Sequence, residues 1–171
     1  MSRSAGPLAK TALFILLVPC TVVAWIPLAI ARGATLPQSV GVREFTAAAL
    51  AGAGVMVALR SMLDFARIGF GTPAPIDPPK HLVVAGWYRY TRNPMYVGIT
   101  AILLAEALIF RSWALAAYTT AIVTMFHLFV VLYEEPTLAR TFGAEYAAFR
   151  AAVPRWVGRS RPFSAPDDSA G

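Results

Sequence analysis

The chain is poor in charge. Only 14% of its 171 residues are Asp, Glu, Lys or Arg, where a soluble domain carries about a quarter. That scarcity excludes an ordinary water-facing globule. Acidic residues are the scarcer sign, with nine Asp and Glu against 15 Lys and Arg, a net charge of +6. Cysteine is nearly absent. The single Cys20 excludes an intramolecular disulfide, and within its apolar segment it reads as a packing residue. No internal repeat is evident, and no metal site is expected.

What the chain has in abundance is apolar sequence: 57% of residues, with a mean hydropathy of +0.59. A net positive charge can signal nucleic acid. Here the positive residues lie in short loops beside apolar stretches, the pattern of membrane topology and of contact with anionic lipid. No nucleic-acid partner is expected, and no obligate protein partner is evident.

Four spans can be read. The first runs from Leu8 to Ala31, with Pro19 and Pro27 as expected kinks. Ala29-Ile30-Ala31 resembles a signal-peptide cleavage site. The apolar stretch exceeds a usual signal core and further spans follow, so an uncleaved helix is expected. The second runs from Phe45 to Leu59 and is short unless the amphipathic stretch from Arg60 to Ile68 continues the helix. The third runs from Pro94 to Phe110 and the fourth from Trp113 to Tyr133. Arg111-Ser112 between them allows only a tight helical hairpin. The loop after the second span carries Arg60, Arg67, Lys80, Arg89 and Arg92, and the tail carries five arginines from Arg140 to Arg161, against Arg111 alone in the hairpin turn. That asymmetry places both termini in the cytoplasm.

The segment from Gly69 to Pro94 holds Pro73, Pro75, Pro78 and Pro79 but is too apolar for a disordered linker. It reads as an ordered flap on the membrane face. After Pro136, Leu138, Phe142, Tyr146 and Phe149 recur at helical spacing. They predict an amphipathic cytoplasmic helix, loosened at Gly143. The tail from Ser164 is short, polar and expected to be disordered. Trp25, Trp113 and Trp156 fit interfacial anchors, and Glu106 is expected to reach Arg111 or the interface.

Two motifs carry the chemistry. Asn93-Pro94 reads as a helix cap followed by proline at the first helical position. The helix end there can bind an anion, and Arg92 adds a fork donor beside it. Tyr96 lies one turn in. Glu134-Glu135 closes the fourth span. Two adjacent carboxylates at a helix C-terminus oppose its dipole, whereas a carboxylate pair can bind ribose hydroxyls or an ammonium. If both motifs face the cytoplasm, they share one pocket. His127, two turns before Glu134 on the same face, is either an interhelical hydrogen bonder or part of the site. Gly52-Ala53-Gly54, among Ala47, Ala48, Ala51 and Ala58, suits close helix packing. It is no dinucleotide fingerprint, because no strand precedes it.

The run from Gly86 to Gly98 (Gly-Trp-Tyr-Arg-Tyr-Thr-Arg-Asn-Pro-Met-Tyr-Val-Gly), then Glu134-Glu135-Pro136, Phe142-Gly143, Tyr146 and Val153-Pro154-Arg155-Trp156, resembles the superfamily of isoprenylcysteine carboxyl methyltransferases and phospholipid methyltransferases. The resemblance covers roughly Gly69 to Arg159. It implies an all-α integral-membrane bundle of four transmembrane helices with a cytoplasmic amphipathic C-terminal helix. It also implies one methyltransferase domain over residues 1–163, in a bacterial inner membrane, with residues 164–171 as the tail. S-adenosylmethionine is implied as methyl donor. Arg92, Pro94, Tyr96 and Gly98 would line its pocket, with His127, Glu134 and Glu135 across from them and Gly52 and Gly54 from the second span. Arg92, Asn93 and Glu134 are the implied catalytic residues. The pattern often has histidine where this chain has Asn93, which takes up no proton at neutral pH. The implied acceptor is a lipophilic small molecule or lipid entering from the bilayer. A carboxyl acceptor of the isoprenylcysteine type is expected first and a phospholipid amine second. A non-catalytic scaffold or transporter subunit is the alternative of another class, disfavoured because the polar cluster sits at one face.

Overall fold

The computed structural model describes residues 19–34, 39–69, 80–156 and 158–163. Among them every regular element is a helix. Residues 8–18 of the first span, residues 70–79 of the flap and the tail 164–171 lie outside the described residues.

α1 covers Thr21–Ile30, opening with a π turn (Thr21–Trp25) just before Pro27. α2 covers Val42–Asp64 and runs on through a π turn, Phe65–Gly69. The amphipathic stretch after Leu59 therefore does extend the second span. The whole helix is 28 residues, about 42 Å at 1.5 Å per residue, more than the ~30 Å of a hydrocarbon core. α3 covers Pro94–Ile109, with Pro94 in the first turn. α4 (Trp113–Phe129) passes through a third π turn (Val130–Glu134) into α5 (Glu135–Ala152).

The continuity from Trp113 to Ala152 joins the amphipathic helix expected after Pro136 to the fourth span. Proline lacks an N–H and its ring crowds the carbonyl four residues back. The wider π turn before it changes the hydrogen-bond register, with Glu135 N–H donating to Val130 O. The break comes at Gly143 instead, as expected. Its φ of 50° and ψ of −119° lie outside helical space, and only glycine takes such angles without strain. The bend folds the second half of α5 back, so Tyr146 returns beside Glu135.

Two helices, Val42–Gly69 and Trp113–Ala152, are long and apolar enough to cross a membrane. Thr21–Ile30 and Pro94–Ile109 are apolar but shorter. Large apolar side chains on α2, α3 and α4 face outward, among them Met56, Leu59, Leu104, Met125 and Leu128. In water such a surface would aggregate. In a bilayer it is the lipid face of a membrane protein.

α2 and α3 cross with their backbones almost touching. A Cβ on Gly54 would lie 2.7 Å from Gly98 O, and one on Gly98 would lie 2.6 Å from Gly54 O. No side chain larger than hydrogen fits at either place. Met62 of α2, Met95, Ile99 and Leu103 of α3 and Phe126 of α4 form the main core, with Trp156 packed against it. A second cluster of Tyr146, Phe149 and Val153 seats the bent half of α5 under the bundle. The hairpin is as tight as expected: Ser112 caps α4, its hydroxyl accepting from Leu115 N at 3.2 Å, and Arg111 takes φ 49°. Glu106, expected to reach Arg111 or the interface, makes no ion pair with Arg111 among the described residues. Its Oε2 is buried and has no partner among them.

Candidate functional site

Four pieces of chain meet at one end of the bundle: the end of α2, residues 86–93, the π turn into α5, and a strap whose described parts are residues 153–156 and 158–163. The strap lies along the segment before α3. Arg92 N–H donates to Pro154 O at 2.9 Å, Arg159 N–H to Tyr90 O at 2.9 Å and Phe163 N–H to Arg89 O at 2.9 Å. The Thr91 hydroxyl lies 3.0 Å from the carbonyls of both Arg155 and Trp156.

This strap explains two departures from the sequence reading. Asn93 does not cap α3. Its Nδ2 donates to Arg155 O at 3.1 Å, which leaves the first turn of α3 without a side-chain cap. Asn93 is only 6% exposed, and its side-chain amide finds an acceptor in the Arg155 carbonyl, which the Thr91 hydroxyl also approaches. Trp156, expected as an interfacial anchor, is also tied into the protein. It packs on the core, and its Nε1 donates to His127 Nδ1 at 3.2 Å. His127 is therefore exposed and holds the strap, rather than facing the bundle interior beside Glu134.

The charged residues of both motifs do come together. Arg92 reaches Glu135 Oε1 at 2.9 Å and donates to the Tyr146 hydroxyl at 3.0 Å, both through Nη1. Arg155 forks the same carboxylate, Nε to Oε1 at 2.6 Å and Nη2 to Oε2 at 2.9 Å. These bonds to Glu135, with its charge, raise the Arg155 guanidinium above its ordinary range. Arg92 Nε is buried and has no partner among the described residues. A buried guanidinium nitrogen left unbonded is costly.

Glu134 sits differently. The Tyr96 hydroxyl donates to its Oε2 at 3.1 Å, and among the described residues no cation lies within ion-pair distance of it. Tyr88 is buried close by. Burial, then the charges of Glu134 and Asp64, push its hydroxyl well above the ordinary tyrosine range. The pair is thus split: Glu135 is tied to two arginines, while the Glu134 carboxyl group has only the Tyr96 hydroxyl beside it among the described residues.

Of the glycines, Gly54 and Gly98 sit at the α2–α3 crossing, and Gly52 points into open space. The crossing accounts for Gly54 and Gly98 without a ligand. Asp64 has no role from sequence, and Tyr88, Tyr146 and Arg155 stand in the family motifs without a site role of their own. Asp64 is buried, pairs with Arg60 at 3.2 Å and abuts Gly86, where any Cβ would overlap its Oδ2. Its spacing of four from Arg60 at the end of an amphipathic stretch was the signal available.

A helical membrane bundle with two arginines and two glutamates gathered at one end defines the class of protein. The phospholipid methyltransferase family matches residues 42–145, more than half of the chain, and the chain belongs to that family. The match takes in Arg92 to Gly98 and Glu134-Glu135 and ends before Tyr146 and Arg155. No curated protein and no solved structure matches the chain.

Proposed function

We propose that the chain is an S-adenosylmethionine-dependent methyltransferase of the membrane that methylates a lipidic acceptor. The observation that carries this reading is two groups at this end of the bundle, the buried Arg92 Nε without a partner among the described residues and the Glu134 carboxyl group bonded only by Tyr96. A donor with no acceptor beside a carboxylate with no cation complements a zwitterion. The amino-acid end of S-adenosylmethionine is one, with a carboxylate and an ammonium on the same carbon. Arg92 and the uncapped first turn of α3 would hold the carboxylate. Glu134, oriented by Tyr96, would hold the ammonium. The cofactor supplies an electrophilic methyl on a sulfonium.

The protein's own part is alignment and exclusion of water. Tyr88 is buried and Tyr96 is packed on Phe126 beside Glu134, which keeps water from that side of the site. Pro94 and the strap hold Arg92 in place. The exposed apolar faces of α2 and α4 let a lipid approach sideways from the bilayer. The family description supports a phospholipid amine as acceptor. An ammonium must lose its proton before it can take a methyl, and that proton leaves to water before the transfer.

Calorimetry with S-adenosylhomocysteine on detergent-solubilised protein tests the reading. Glu134→Gln is expected to weaken binding by ~1.5–3 kcal/mol, the scale of a charge-assisted hydrogen bond. Unchanged affinity in a folded Glu134→Gln variant removes Glu134 from the cofactor site.

A further inference from the structure

Tyr88 carries a hydroxyl with nothing to bond. The residue is only 7% exposed, and among the described residues its O–H neither donates nor accepts a hydrogen bond. A buried tyrosine usually spends that group on a partner. Tyr88 lies in the 3-10 turn Gly86–Arg89, which packs on α2 with Gly86 against the buried Asp64 carboxyl group. Glu134, at the end of the π turn, accepts from Tyr96. Both carboxyl groups act electrostatically on the Tyr88 hydroxyl, and Tyr88 in turn acts on Tyr96. The four side chains thus form one corner of the site. That corner borders the lipid face. Leu59 and Leu63 precede Asp64 on α2, Leu132 and Tyr133 precede Glu134, and all four are exposed. A lipid lying along them brings its headgroup to Tyr88.

We infer that the Tyr88 hydroxyl binds the methyl acceptor: its oxygen accepts an N–H of the headgroup amine and aims the nitrogen lone pair at the methyl group. Asp64 and Glu134 suit the corner to an amine, because a carboxylate acceptor would crowd a third carboxyl group beside them. Burial and the same two groups keep the phenol protonated, so Tyr88 works through its lone pairs and takes no proton. In the transfer the nitrogen lone pair forms the new N–C bond as the C–S bond breaks and leaves its electron pair on sulfur. Positive charge passes to the nitrogen, and the Tyr88 oxygen beside it favours that charge. A primary or secondary amine has an N–H for Tyr88, and a tertiary amine has none. Tyr88 therefore serves the first and second methyl additions and not a third.

The inference rests on the lipid-amine reading of the site, and the two can fail separately. Tyr88→Phe removes only the oxygen, so no protein hydrogen bond is lost. The full chain is assayed in vesicles of a primary-amine phospholipid and in vesicles of its N,N-dimethyl form. Affinity for S-adenosylhomocysteine and the thermal midpoint are measured alongside. On the primary amine, kcat/KM is expected to fall about tenfold, the scale of one hydrogen bond. On the dimethyl lipid it is expected to stay within about twofold of the wild type, with affinity and midpoint not lowered. A structural role would instead lower the midpoint or the affinity and slow both lipids alike. An unchanged rate on the primary amine, or an equal fall on both lipids, overturns the inference. Should the wild type leave the dimethyl lipid unmethylated, the primary-amine rate at unchanged affinity and midpoint decides. A wild type that binds S-adenosylhomocysteine but methylates neither lipid overturns the lipid-amine reading itself.

Discussion

Gly98→Ala places a methyl carbon 2.6 Å from Gly54 O and 2.7 Å from Ala58 N. Both obstacles are backbone, so no rotamer relieves them. α2 and α3 must separate by several tenths of an ångström, loosening Met62 against Met95 and Ile99. Overpacking of this kind costs ~1–3 kcal/mol, and each kcal/mol lowers the melting point of a chain this size by about 2–4 °C. Gly54→Ala meets Gly98 O at 2.7 Å and is expected to cost a similar amount. The double variant is expected to cost less than both together, because the first separation makes room for the second methyl. Gly52→Ala is the control. Nothing lies within 4 Å of its added carbon, and removing a helical glycine gains up to about 1 kcal/mol. Thermal unfolding in detergent measures all four. Equal melting points for Gly98→Ala and Gly52→Ala would refute the close crossing. Lost cofactor binding at an unchanged melting point in Gly54→Ala would instead give Gly54 a ligand role.

Arg92→Lys keeps the charge but loses the fork. It is expected to raise the dissociation constant for S-adenosylhomocysteine about tenfold, whereas a fall in turnover at unchanged affinity would assign Arg92 to the acceptor. Gly86→Ala puts a Cβ onto the Asp64 carboxylate at a backbone φ of +53°. A loss of ~1–3 kcal/mol is expected, and an unchanged melting point would contradict the Asp64–Gly86 contact. The charge asymmetry of the loops predicts that reporters fused after Gly171 and inserted at Ser112 lie on opposite sides of the membrane; finding both on one side overturns that topology.

Much of the fold was legible because it depends on local signals. Pro94 marks a helix start, Arg111-Ser112 a hairpin and Gly143 a break, and each stands where those residues put it. The meeting of Arg92 with Glu135 was also foreseeable, since charged groups at the ends of adjacent apolar helices have few other partners. What stayed hidden depends on contacts distant in sequence. Nothing in the periodicity around Val153 announces a strap, so neither the Asn93 bond to Arg155 nor the Trp156 bond to His127 could be read. The split of Glu134 from Glu135 follows from the same strap, because Arg155 arrives with it. Helix continuity across Pro136 was missed because a π turn accommodates proline without a distinctive sequence pattern.

The most direct test is methyl transfer itself. Purified protein in vesicles that contain an amine-headgroup phospholipid is given S-adenosylmethionine labelled in its methyl group, with the Glu134→Gln variant run in parallel. Label is expected in the lipid fraction, stable to mild alkali as an N-methyl group is, and greatly reduced in the variant. Alkali-labile label would mean a carboxyl ester instead and would redirect the acceptor toward the isoprenylcysteine type. No lipid label at all from protein that still binds S-adenosylhomocysteine would contradict a lipidic acceptor, and no binding either would contradict the methyltransferase reading of the site.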